Sequence, residues 1–139
     1  MKKVVLVFAI VVIAKLSASA QSAVAIFKPL YGGDEHYCIV SAASSEYEAK
    51  QKALDCLAST VNEKVGSGAN GRQFIYMSTS QKGYFAVGRG RDQYGKYWHY
   101  EAVLGYDDAD EARKALLSNL SGRGLYDTEV VEEGHDPAE

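Results

Sequence analysis

The feature that most constrains this chain is that it carries one segment twice. AVAIFKPLYGGDEHYCIVSAASSEYEAKQKALDCL (23–57) aligns without a gap on AVGRGRDQYGKYWHYEAVLGYDDADEARKALLSNL (86–120), 63 residues later. Eleven of the 35 positions are identical: Ala23/Ala86, Val24/Val87, Tyr31/Tyr94, Gly32/Gly95, His36/His99, Tyr37/Tyr100, Val40/Val103, Glu48/Glu111, Ala49/Ala112, Leu54/Leu117 and Leu57/Leu120. Unrelated segments of ordinary composition would share about two or three. The period is too long for most solenoid units, and two copies build one pseudo-symmetric domain, not an array.

Each copy reads the same way. AVAIF (23–27) and YFAVG (84–88) are short strands rich in β-branched and aromatic residues. Tyr31-Gly32-Gly33 and Gln93-Tyr94-Gly95 are turns, and HYCIVSA and YWHYEAVLG return as strands. Ser45-x-x-Glu48 and Asp108-x-x-Glu111 then open a helix, because the side-chain oxygen takes a backbone N–H that the first turn leaves unpaired. Ala49, Ala53, Leu57 and Val61 with Leu54, and Ala112, Leu116 and Leu120 with Leu117, fall at helical spacing. RQFIYMSTS (72–80), after the loop GSGANG, and LYDTEVV (125–131) supply a last strand to each copy. The expected fold is α+β: two tandem strand–strand–helix–strand repeats, 23–80 and 84–131. They are expected to form one mostly antiparallel sheet with both helices on one face, where Tyr37 and Tyr100 pack beneath them.

The ends carry other information. Lys2 and Lys3, the apolar run Val4–Ala14, and Ala18-Ser19-Ala20 have the order of a secretory signal peptide, with cleavage expected before Gln21. The run is shorter than the ~20 residues a spanning helix needs, so no stable membrane insertion is expected after cleavage. Removing residues 1–20 leaves 12 basic against 18 acidic residues. A net acidic domain does not suit nucleic acid, whose phosphates demand a basic surface. EEGHDPAE (132–139) has no apolar periodicity and reads as a solvated acidic tail. Export implies an oxidising compartment, either periplasmic or secreted. Cys38 and Cys56 then form one disulfide or remain two buried thiols.

Candidate chemistry is sparse. His36 and His99 occupy equivalent strand positions, expected to face away from the helices. With His135 they could ligate a metal, but exposed strand histidines are the simpler account, and no metal or cofactor is expected. Asp107, Asp108, Asp110 and Glu111 suit a helix N-terminus better than a calcium loop. GRGRD (88–92) precedes a strand and not a helix, so it lacks phosphate-loop geometry; it reads as the end of a strand on an exposed edge. No nucleophile–base–orienter set can be assembled, so no catalysis is expected. The most suggestive surface is aromatic. Tyr94, Tyr97 and His99, with Arg89 and Arg91, are expected on the outer sheet face, where flat rings and cations suit glycans or a protein partner.

Two resemblances bear on this reading. GYDDADEARKALLSNLSGRGLYDTEVV (105–131), preceded by YEAVL, resembles the second half of a SPOR (sporulation-related repeat) domain, and GYFAVGRG (83–90) looks like its central strand. That resemblance implies a bacterial-envelope module that binds peptidoglycan glycan strands. Each unit here has an additional N-terminal strand. AVAIF and EAKQKALDC (48–56) are similar to a family of small exported bacterial domains of unknown function. The expectation is therefore an exported binding protein for peptidoglycan or another glycan. The alternative is an inhibitor or immunity-type module whose acidity suits a basic protein partner.

Overall fold

The computed structural model describes residues 21–137; the expected signal peptide lies outside them. Six strands and two helices follow in order: β1 (Gln21–Pro29), β2 (His36–Ala43), α1 (Glu46–Lys64), β3 (Gly71–Thr79), β4 (Gly83–Arg91), β5 (Trp98–Tyr106), α2 (Ala109–Gly122) and β6 (Tyr126–Asp136). The α+β class and the strand–strand–helix–strand repeat are as the sequence implies.

The sheet arrangement is not. Each copy closes its own three-stranded antiparallel sheet, ordered β2–β1–β3 and β5–β4–β6. Alternate residues of β1 point opposite ways. Ala23, Ala25 and Phe27 pack with Ala49, Ala53, Leu57 and Val61 of α1. Val24 and Ile26 meet Val87 and Ala102 of the other sheet. In the second copy Ala86 and Val103 pack with Ala112, Leu116 and Leu120 of α2. The layers therefore run helix, sheet, sheet, helix, and the helices lie on opposite outer faces. Three other expectations change with this. Tyr37 and Tyr100 lie between the sheets, their rings 4.9 Å apart, and not beneath the helices. His36 shares the α1 side with Cys38 and stacks on Phe27. GRGR belongs to β4, a central strand, and not to an edge.

The duplication extends to the irregularities of the sheets. β1 slips register against β2 between Gln21 and Ala23, and β4 slips against β5 between Tyr84 and Ala86, the equivalent place. β1 slips against β3 between Val24 and Ala25, and β4 against β6 between Val87 and Gly88, again equivalent. Such bulges bend a strand and raise its twist, so both copies inherited the same curvature. Ala42 and its counterpart Gly105 both have positive φ, 56° and 75°.

Core volume is exchanged between neighbours. Ala25 and Ala53 in the first copy become Gly88 and Leu116 in the second. A Cβ on Gly88 would lie 2.8 Å from both the Glu129 backbone oxygen and Leu116 Cδ2, so the glycine admits the close approach of β6 as well as the larger helix residue. Both N-caps form: Ser45 Oγ accepts the Glu48 N–H at 3.0 Å, and Asp108 Oδ1 accepts the Asp110 N–H at 2.7 Å. Cys38 and Cys56 are disulfide-bonded, with Cα atoms 6.0 Å apart, joining β2 to α1.

The expected tail is largely strand. β6 continues to Asp136 because Glu132 to Asp136 pair with β4, and the Asp136 side chain is fully buried. Its carboxylate accepts from Ser22 Oγ, and from Ala42 N at 2.9 Å. The second copy thus clamps the bulge of the first. An acidic, aperiodic sequence hid this strand because its side chains lie at an edge and one buried carboxylate anchors its end.

Candidate functional site

The copies differ most between helix and last strand. Pairing with the central strand makes Phe74 the counterpart of Glu129, an offset of 55 residues where the helix starts are offset by 63. The first copy is thus eight residues longer here. Part of that length extends α1, which has 19 residues to the 14 of α2; the rest forms the loop after it. Leu30 N donates to Asn70 O at 2.9 Å, drawing that loop over the β1–β2 turn.

Between turn and loop lies a cleft of about 590 Å³, lined by Phe27, Tyr31, Asp34, His36, Lys64 and Asn70 among others. This is within the ~300–1,000 Å³ of small-ligand sites. Phe27 and Pro29 give it an apolar side, and Tyr31 stands at its rim 82 % exposed. Burial, then the nearby Lys64 charge, lowers the His36 pKa, partly opposed by Asp34. Gly32, with φ of 90°, allows the tight turn, and the Tyr97 ring packs close behind it. At the equivalent end of the second copy Gly90 replaces Phe27. Leu125 and Thr128 come 2.7 and 3.1 Å from where its Cβ would stand, closing that space.

The turn is held by the other copy. Trp98 N donates to Asp34 Oδ1 at 2.9 Å, Glu35 N to Trp98 O at 3.0 Å, and Tyr100 N to Glu35 Oε1 at 2.9 Å. Glu35 is 4 % exposed, and its second oxygen lies 3.1 Å from His99 Nδ1. Asp92 Oδ2 lies 4.0 Å from His99 Nε2. Backbone N–H groups, that of Lys96 foremost, hold the Asp92 carboxyl below its usual pKa. Three hydrogen bonds, two of them to the Asp34 and Glu35 carboxylates, thus fix one wall of the cleft to β5.

The residues expected to share an outer sheet face do not form one surface. Each sheet is covered by a helix on one side and by its fellow sheet on the other. The Arg89 and Arg91 guanidinium groups lie 4.0 and 4.4 Å from the Trp98 ring centroid. Arg89 also pairs with Glu129 at 2.6 Å. Tyr97 backs the turn, and His99 is held by Glu35. Tyr94 alone projects freely, 81 % exposed at the position equivalent to Tyr31. His135 packs on Tyr84, ring centroids 4.5 Å apart, so the three histidines sit in three different environments. Sequence reasoning overlooked Tyr31, His36, Lys64 and Asn70 as neighbours in one cleft. The signal available was the unequal helix-to-strand spacing of the copies.

No helix among the described residues is long and apolar enough to cross a membrane. No protein-family model matches the chain, and comparison with curated proteins and with solved structures finds no significant match.

Proposed function

We propose that this chain is an exported, non-catalytic binding module that takes a glycan, with peptidoglycan as the first candidate, in the cleft of its first copy. The observation that carries the reading is the eight-residue extension, which builds a cleft where the second copy has packed side chains. Its chemistry suits a sugar with acidic substituents. Tyr31 offers a flat face for a ring, Asn70 an amide, and Lys64 a cation for a carboxylate. The Cys38–Cys56 disulfide fits an oxidising compartment. Binding is favoured over catalysis because the partners of His99 are carboxylates and no nucleophile hydrogen-bonds it among the described residues.

The test is co-sedimentation of residues 21–139 with purified sacculi. Saturable pelleting is expected, with affinity falling about tenfold in Lys64→Ala and in Tyr31→Ala and unchanged in Tyr126→Ala, on the exposed strand β6. Absence of saturable pelleting would remove the glycan reading. Pelleting indifferent to both cleft changes would move the site elsewhere. A protein-interaction role is the second reading, favoured by the acids Asp127, Glu129, Glu132 and Glu133 on edge strand β6. It predicts a one-to-one complex with a basic protein that weakens steeply with salt.

A further inference from the structure

The two copies present equivalent edge strands, β5 and β2, and treat them differently. An unpaired edge invites another strand, and proteins normally blunt it. On β5 the outward groups are occupied. Trp98 N and Tyr100 N donate to Asp34 and Glu35, and Ala102 N lies 3.3 Å from Glu101 Oε1. Trp98 O accepts from Glu35 N, and Tyr100 O accepts from Arg123 Nη1 at 2.9 Å. Arg123 also pairs with the Glu101 carboxylate, which is 5 % exposed. These side chains fill the edge as a neighbouring strand would.

The same register holds in β2. Tyr37 faces Ile26 as Tyr100 faces Arg89, and Ile39 faces Val24 as Ala102 faces Val87. The backbone groups of Tyr37 and Ile39 therefore point outward. The residues that would cap them are absent. Cys38 stands where Glu101 does and Thr60 where Arg123 does, their Sγ and Oγ1 atoms 3.7 Å apart. Tyr97 and Trp98 stand where Asp34 and Glu35 do. No side chain among the described residues bonds the outward groups of Tyr37 and Ile39.

We infer that the β2 edge pairs antiparallel with the β2 edge of a second copy of this chain, about a two-fold axis at Ile39. The two sheets would join into one of six strands, β3–β1–β2–β2–β1–β3. The segment HYCIVSA (36–42) carries no Asp, Glu, Lys or Arg, so the paired strands themselves set no like charges opposite each other; the nearest acid from the other sheet, Glu132, accepts from the Tyr37 hydroxyl at 2.8 Å. It contains Ile39 and Val40, which suit a sheet. The flank of α1 beside this edge carries Cys56, Thr60, Glu63 and Lys64. One and two turns earlier on the same flank are Lys52 and Glu48. Antiparallel apposition directs the acid and base at one end of α1 toward the base and acid at the other end of its partner. An isologous contact of this kind closes at a dimer. The strand is limited at its far end by Ala42, whose N–H is held by Asp136. This inference does not depend on the ligand reading.

Sedimentation velocity of residues 21–139, which include all six strands and both helices described above, tests it over a hundredfold concentration range. A monomer–dimer equilibrium is expected, with the Ile39 amide slower to exchange at high concentration. Thr60→Arg supplies the cap that Arg123 gives β5 and should weaken association at least tenfold. Ile39→Pro removes one outward N–H at a position where an edge strand accepts proline, and should do the same. Because Thr60 is only partly buried, its replacement separates loss of association from loss of fold, which unchanged circular dichroism would verify. A monomer at every concentration overturns the inference, as does a dimer that both variants leave intact; the former would leave the edge for a strand of another protein.

Discussion

The first and second copies share their strand order, two equivalent bulges and their helix N-caps, yet they differ at one end and at one pair of equivalent edges: the first has an open cleft and an uncapped β2, the second a packed end and a capped β5. In the second, Gly90 is covered by Leu125 and Thr128, and β5 is capped by Asp34, Glu35, Glu101 and Arg123. In the first, an added length of helix and loop arches over Phe27, and β2 has Cys38 and Thr60 in place of the capping pair. Duplication preserved what bends and packs the sheets. Divergence exchanged core volume at Ala25/Gly88 and Ala53/Leu116 and changed the cleft end and the strand edge. The second copy braces the first, through the Asp136 clamp and the Trp98 and Tyr100 backbone groups that fix the β1–β2 turn, and the proposed ligand and self-association sites both fall on the first.

That division can be broken from its strongest point downward. Leu57 and Leu120 are equivalent and fully buried. Replacing either by Ala should cost about 3–4 kcal/mol, read as a denaturant midpoint shift without change of slope. A large difference between the two would mean that the copies are not energetically matched. Next, replacing Cys38 and Cys56 together by Ser should cost about 3 kcal/mol, from the loop the bond closes in the unfolded chain. Amide exchange should quicken in β2 and α1 more than in β5 and α2. Ser45→Ala removes a helix cap and should cost about 1 kcal/mol. Ala42→Gly relieves a positive φ that its counterpart Gly105 meets with glycine, and should stabilise by about 0.5–1 kcal/mol; no gain would show that the extra freedom of glycine in the unfolded chain offsets the strain relieved.

The smallest effect is electrostatic. The folded state holds His36 below its ordinary pKa of 6.5, so the unfolded chain takes up the proton first. Stability contributed by neutral His36 is present above that value and is lost as pH falls through it toward the lower folded pKa. His36→Phe should flatten this part of the stability–pH curve below pH 6.5. An unaltered slope would show that other groups set it.

Much of this was legible in the residues. The gapless 35-residue alignment gave the repeat, and Ser45 and Asp108 marked the helix starts. The 3.6-residue spacing of alanine and leucine identified the buried stripes position by position. What periodicity could not reveal was which face of each strand met which layer. Trp98, Tyr100, Ala102 and Leu104 alternate as an apolar face should, but their cover is the other sheet and not a helix. Arg89 and Arg91, expected outside, accordingly lie stacked on Trp98. Glu132 and Glu133 read as solvated tail, so the sequence ends the last strand at Val131, whereas it runs to Asp136. The burial of Asp136 depends on Ser22 and Ala42, both far away in sequence. The cleft escaped notice because the gapless alignment ends at Leu120, before the copies change length.

The most direct test of the account is a backbone amide chemical-shift titration of residues 21–139 with soluble glycan–peptide fragments of peptidoglycan. The account predicts saturable shifts confined to Tyr31–His36 and Lys64–Asn70, with the matching turn and helix end of the second copy unmoved. Shifts centred on the second copy, equal shifts in both, or none at all would contradict it.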